Sequence, residues 1–217
     1  MYEKGSGKEH RPGKKKGGGQ MSEFLGVAAG IVSILGYIPY IRDILKGATK
    51  PDRIAWLIWT FEYTALFFAQ AFEGASYSLW LIGLQLLGVI AVFSLSLRNG
   101  FGSFNRQAQL LLASVFLALL AWWATKSGAL AIIILLTVEA VGVALTVRKT
   151  YRHPGSETLT MWVCVGIGGV VGILAVGISA TPILYAYPVA LIFMSTSVIA
   201  ASFLGVRRGN YIVNETT

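Results

Sequence analysis

Two carboxylic acids, Glu62 and Glu139, stand inside otherwise apolar stretches of the chain. An acid at membrane depth is costly, because lipid offers it no hydration, and it marks a functional group by default. Glu62 is flanked by Phe61, Tyr63, Phe67 and Phe68, and no Lys or Arg lies deep in any apolar stretch to pair with either acid. Both are candidate proton-binding or polar ligand groups. The competing structural role is a protonated Glu that donates to a neighbouring carbonyl. Gln85 sits in the middle of another apolar stretch, where its amide can both donate to and accept from a solute. Tyr185 offers a hydroxyl near the last apolar stretch, as do Tyr187, Ser195 and Ser197. The candidate substrate-binding residues are Glu62, Gln85, Glu139 and Tyr185.

Covalent and metal chemistry find little material. One cysteine, Cys164, excludes a disulfide framework, a CxxC zinc site and an iron–sulfur centre. His10 and His153 are far apart in the chain, so no metal site or cofactor is expected. No nucleophile–base pair or Gly-rich phosphate loop is present at a recognised spacing. His153 is the one candidate general base beside the basic loops. The chain is not expected to be an enzyme.

The elements that carry these groups follow from composition. Of 217 residues, 55% are hydrophobic and 13% charged, against about 25% charged in a typical soluble protein. Too little charge remains to coat a soluble particle. Seven apolar runs, roughly 24–42, 54–72, 77–97, 108–125, 128–147, 159–178 and 182–204, approach the length needed to cross a bilayer. Alternating strand patterns are absent, which leaves an all-α helical bundle, because backbone groups in lipid must pair internally. Short connections make neighbouring helices antiparallel. Trp80, Trp122, Trp123 and Trp162 lie near span ends and are expected to be interfacial anchors. Ser156 and Glu157 are expected to cap the sixth span, and Asp52 the second.

The net charge of +8 is not a nucleic-acid signal. Outside the first twenty residues, eleven Lys and Arg fall in the odd-numbered loops and after the last span, and only Lys126 falls in the even-numbered loops. The positive-inside rule puts the C-terminus in the cytoplasm and the N-terminus outside. The basic tail, with Lys4, Lys8, Arg11, Lys14, Lys15 and Lys16, opposes that orientation. Codons for Lys16-Gly17-Gly18 can spell a ribosome-binding sequence just before Met21, so residues 1–20 are expected to be leader and Met21 the start. A polybasic arm on anionic lipid is the alternative.

A shift of 103 residues pairs Lys46 with Lys149, Pro51 with Pro154, Trp59 with Trp162 and Gly74 with Gly177. It also pairs Ala65 and Ala69 with Gly168 and Gly172, small residues that let helices approach closely in lipid. Three spans, an inverting span and three more spans give two parallel repeats. The expected division is 1–20 tail, 21–100 first repeat, 101–126 linker helix, 127–208 second repeat and 209–217 cytoplasmic tail.

The stretch Tyr37-Ile38-Pro39-Tyr40-Ile41-Arg42, followed by Lys46, Lys50, Pro51 and Trp59, resembles the PQ-loop motif. With the 3+1+3 plan, residues 22–208 resemble the PQ-loop and SWEET (MtN3/saliva) superfamily of membrane transporters. Tyr40 stands where the family usually has Gln, and Gly142 where a second Pro would fall. The resemblance implies an alternating-access carrier for a sugar or other small polar metabolite. Pro39 and Gly142 are then candidate hinges, since one removes a helix hydrogen bond and the other loosens the backbone. A non-transporting receptor or sensor on the same scaffold is the rival reading. Expected partners are the small solute and the lipid bilayer, with no nucleic acid and with homo-oligomer formation left open. The expected location is a bacterial inner membrane.

Overall fold

The computed structural model describes residues 16–47, 51, 53–100, 106–177 and 180–209. The basic tail through residue 15, Lys50, Asp52 and the end of the chain from residue 210 lie outside the described residues. Lys16 to Gln20, expected to belong to the leader, form the first turns of a helix.

Within those bounds the fold is all-helical. The helices are α1 (Lys16–Leu35), α2 (Tyr37–Leu45), α3 (Arg53–Phe72), α4 (Leu79–Asn99), α5 (Arg106–Thr125), α6 (Gly128–Arg152), α7 (Leu159–Val176) and α8 (Ala186–Arg207). A short 3-10 turn, Pro182–Tyr185, leads into α8. Each long helix occupies an apolar run, because only a helix pairs its own backbone groups away from water.

Five segments are long and apolar enough to cross a membrane: Gly19–Leu45, Leu79–Asn99, Gly128–Arg152, Leu159–Val176 and Pro182–Arg207. Seven were expected. α3 is 20 residues long, but Glu62, Gln70 and its Trp and Tyr side chains lower its hydropathy, and these residues are mostly buried in the bundle. α5 runs 20 residues, and Gln109–Thr125 is its apolar stretch among the fully described residues.

The helices close a ring. α1 packs between α4 and α7, α3 between α4 and α6, and α8 between α6 and α7. α5 packs on α3 and α6. Large apolar side chains such as Phe24, Leu35, Phe68, Leu117, Phe193 and Phe203 face outward. A belt of that kind is stable against lipid and unstable against water.

Glycines set the closest approaches. A Cβ on Gly168 would collide with Ser33 Oγ and come within 2.9 Å of the Ala29 carbonyl on α1. A Cβ on Gly36 would meet Cys164 at 2.8 Å and the Met161 backbone at 3.0 Å. Gly36 also separates α1 from α2, its N–H reaching back three residues to Ser33 O at 3.1 Å. Pro39 follows in the first turn of α2. A first turn tolerates proline, because its N–H groups lack intrahelical partners in any case.

One end of the bundle is basic. There Arg53 ties the start of α3 to the end of α4, donating from Nε to Ser96 O at 3.1 Å and from Nη2 to Gly100 O at 2.6 Å. At the opposite end Glu73 Oε1 accepts from the Ala129 N–H at 2.8 Å, and Ser127 caps α6 by accepting from Leu130 N–H at 3.3 Å. Both satisfy helix-terminal donors that would otherwise be orphaned.

Candidate functional site

The ring encloses a cavity lined by α3, α4, α6, α7 and α8, together with α2. Its walls are Tyr37 from α2, Trp56, Trp59 and Tyr63 from α3, and Gln85 and Val89 from α4. Glu139 comes from α6, Met161, Trp162 and Val165 from α7, and Leu191, Met194 and Ser195 from α8. The cavity is narrow, with room for about two water molecules.

The aromatic wall comes from helix periodicity. Trp56, Trp59 and Tyr63 recur at intervals of three and four, which aligns them on one face of α3. Trp56 meets Trp59 edge-on with ring centroids 5.0 Å apart, and packs against Tyr37 at 6.4 Å and Tyr40 at 5.4 Å. Tyr37 can lie against α4 only because Gly88 has no side chain, since a Cβ there would stand 2.8 Å from the Tyr37 ring. Tyr63 and Tyr187 cross edge to face at 6.1 Å on the side away from the basic end.

The polar groups are few and under-satisfied. Gln85 is fully buried, and neither its amide oxygen nor its nitrogen has a hydrogen-bond partner. Ser195, 2% exposed, leaves its hydroxyl unpaired. Glu139, 6% exposed, accepts from the Tyr63 hydroxyl through Oε1 at 3.3 Å, while Oε2 has no partner. Buried polar atoms normally find partners, so three unsatisfied groups around one cavity point to a ligand or water. Among the described residues no Lys, Arg or His lines the cavity. Among the described residues no group of three or more His, Cys, Asp or Glu side chains converges to hold a metal ion.

The expected site residues divide. Gln85 and Glu139 line the cavity. Glu62 stands behind it, 1% exposed, within electrostatic reach of Glu139 and with its Oε1 unpaired. Tyr185 lies elsewhere: its hydroxyl donates to the Gly177 carbonyl at 2.8 Å and secures the turn before α8. Ser197 is exposed and bonds Phe193 O. Of the two hinge candidates, Pro39 adjoins the α1–α2 break, whereas α6 runs unbroken through Gly142. The nearest atom to a Cβ on Gly142 would be Trp59 Nε1 at 3.6 Å, so this glycine clears space beside the indole.

Trp162 is a correction to the expected interfacial role. It is 8% exposed, lines the cavity, and donates from Nε1 to Glu157 Oε2 at 3.2 Å. Glu157, expected to cap, instead forms an ion pair with Lys149. Tyr37, Trp56 and Tyr63 were not expected in the site, although the spacing of the last two with Trp59 carries the signal. Trp59 and Trp162 carried another, since they coincide under the 103-residue shift.

Searches against protein-family models, curated proteins and solved structures return no match to the chain.

Proposed function

We propose that the chain is a small-solute carrier of the PQ-loop type. It works by alternating access between two three-helix repeats joined by α5. The observation that carries this reading is the central cavity, lined by helices from both halves and holding buried polar groups without partners. The packing order α1–α4–α3 is matched by α6–α8–α7, and the interface of α3 with α6 by that of α7 with α1. Trp59 and Trp162 enter the cavity from equivalent places in those halves. A site between repeats is where such carriers bind their solutes.

All seven hydrophobic segments then cross the membrane. α3 does so despite Glu62 and Gln70, because both are buried inside the bundle. The basic end is cytoplasmic by the positive-inside rule, and the membrane is a bacterial inner membrane. Rocking of the halves would widen the cavity on one side at a time. The Gly36 break, followed by Pro39, supplies a discontinuity in the first span.

Two-sided chemical access tests this. In a Cys164→Ala background, Ser195→Cys places a thiol on the cavity wall. An impermeant maleimide should label it from either face of oriented proteoliposomes. Labelling from one face only would contradict alternating access and favour the receptor reading.

A further inference from the structure

The cavity has an unusual chemical balance. Five aromatic side chains, Tyr37, Trp56, Trp59, Tyr63 and Trp162, form most of its polarizable wall. Among the described residues the one carboxyl group on that wall is that of Glu139, with one oxygen free of any partner. Glu62 adds a second acid outside the lining, within electrostatic reach of Glu139. At the basic end Lys149 is engaged by Glu157, outside the lining.

We propose that the solute is a small organic cation, an amine or quaternary ammonium compound, held over the indole and phenol faces and directed by Glu139. The inference deepens the carrier reading and rests on the same cavity. Aromatic rings present negative faces to a cation, and a desolvated site strengthens that attraction. An anion would meet these ring faces and two acids with no positive group to receive it. A sugar needs a partner for each of several hydroxyls, and the wall offers chiefly Gln85, Ser195 and the free Glu139 oxygen. A cation needs fewer: one acid and the aromatic faces, with Gln85 and Ser195 left to bind a single polar substituent. In this conformation the cavity admits only the smallest such cation, and a trimethylammonium head group requires the walls to part.

The test is binding to the full chain in nanodiscs, read by the fluorescence of the cavity tryptophans and by thermal shift. The probes are methylammonium, tetramethylammonium and choline, set against glucose and the neutral tert-butyl analogue of choline, in which carbon replaces nitrogen. At least one cation should bind, with choline favoured over its neutral analogue by about tenfold or more. Glu139→Gln and Trp59→Leu should each weaken cation binding by about tenfold. The choline comparison uses the wild-type protein alone, so a variant that fails to fold leaves the test intact. Equal binding of the neutral analogue, preference for glucose, or no binding of any cation overturns the proposal. Exchange of a neutral solute across proteoliposomes would then leave the carrier reading standing. Cation binding without exchange would remove the carrier reading and keep the ligand class.

Discussion

The Tyr63 hydroxyl donates to Glu139 Oε1 at 3.3 Å, joining α3 to α6 at the wall of the cavity. The bond crosses between the two halves of the ring. It also fixes which carboxyl oxygen of Glu139 remains free to meet a solute or a proton.

Removing that donor has a defined cost. Tyr63→Phe leaves the buried acceptor unpaired and should lower stability by about 1–3 kcal/mol, read as an earlier thermal transition in detergent. Glu139→Gln can still accept from Tyr63 through its amide oxygen, and should cost less. The reverse order would mean that the bond contributes nothing to the fold.

In the proposed carrier, Glu62 and Glu139 are the acids that would couple solute movement to protons. The groups facing Glu139 are Tyr63, Tyr37, Tyr187 and Glu62, none of them basic. Glu139→Gln should abolish any response of solute exchange to an imposed pH gradient. Glu62→Gln should weaken that response, acting from behind the cavity. An intact pH response in both variants rules out coupling through these acids.

Gly168 and Gly142 should behave oppositely. Gly168→Ala would place a methyl group where Ser33 Oγ sits and against the Ala29 backbone, which cannot swing aside. A cost of about 1–3 kcal/mol is expected from such overpacking. Gly142→Ala meets only Trp59 Nε1 at ordinary contact distance, and should be neutral or stabilising by up to about 1 kcal/mol. If α6 must bend at Gly142 during transport, the same change should slow exchange while stability rises. Unfolding curves and exchange rates on the two variants separate these effects.

The sequence made some of this legible and hid the rest for physical reasons. Apolar runs of membrane-spanning length located the helices, because lipid permits little else. Glu139 and Gln85 announced themselves as polar groups among apolar neighbours. Tyr37 and Trp56 did not, because an aromatic residue near a span end has the same local pattern whether it anchors at the interface or lines a cavity. Only the packing of neighbours decides, and for Tyr37 the deciding neighbour is Gly88, some fifty residues away. Tyr185 misled for the opposite reason. Its hydroxyl looks available in the sequence, and a backbone carbonyl eight residues earlier takes it.

At the basic end, Glu157 joins Lys149 on α6 to Trp162 in the cavity wall. Lys149 is half exposed, so Lys149→Met should change stability by less than about 1 kcal/mol. Glu157→Leu strands the indole N–H as well and should cost more. It should also shift tryptophan emission, which Lys149→Met should leave in place.

Solute counterflow in proteoliposomes tests the central claim most directly. Vesicles holding the full chain are preloaded in turn with organic cations, sugars, amino acids and small acids, and uptake of the labelled counterpart is followed. Accelerated exchange is expected for one class of small solute, lost in Gln85→Leu and in Glu139→Gln while both variants remain folded. Absence of exchange for every class, from protein that is folded and thermally stabilised by a bound compound, would contradict that claim.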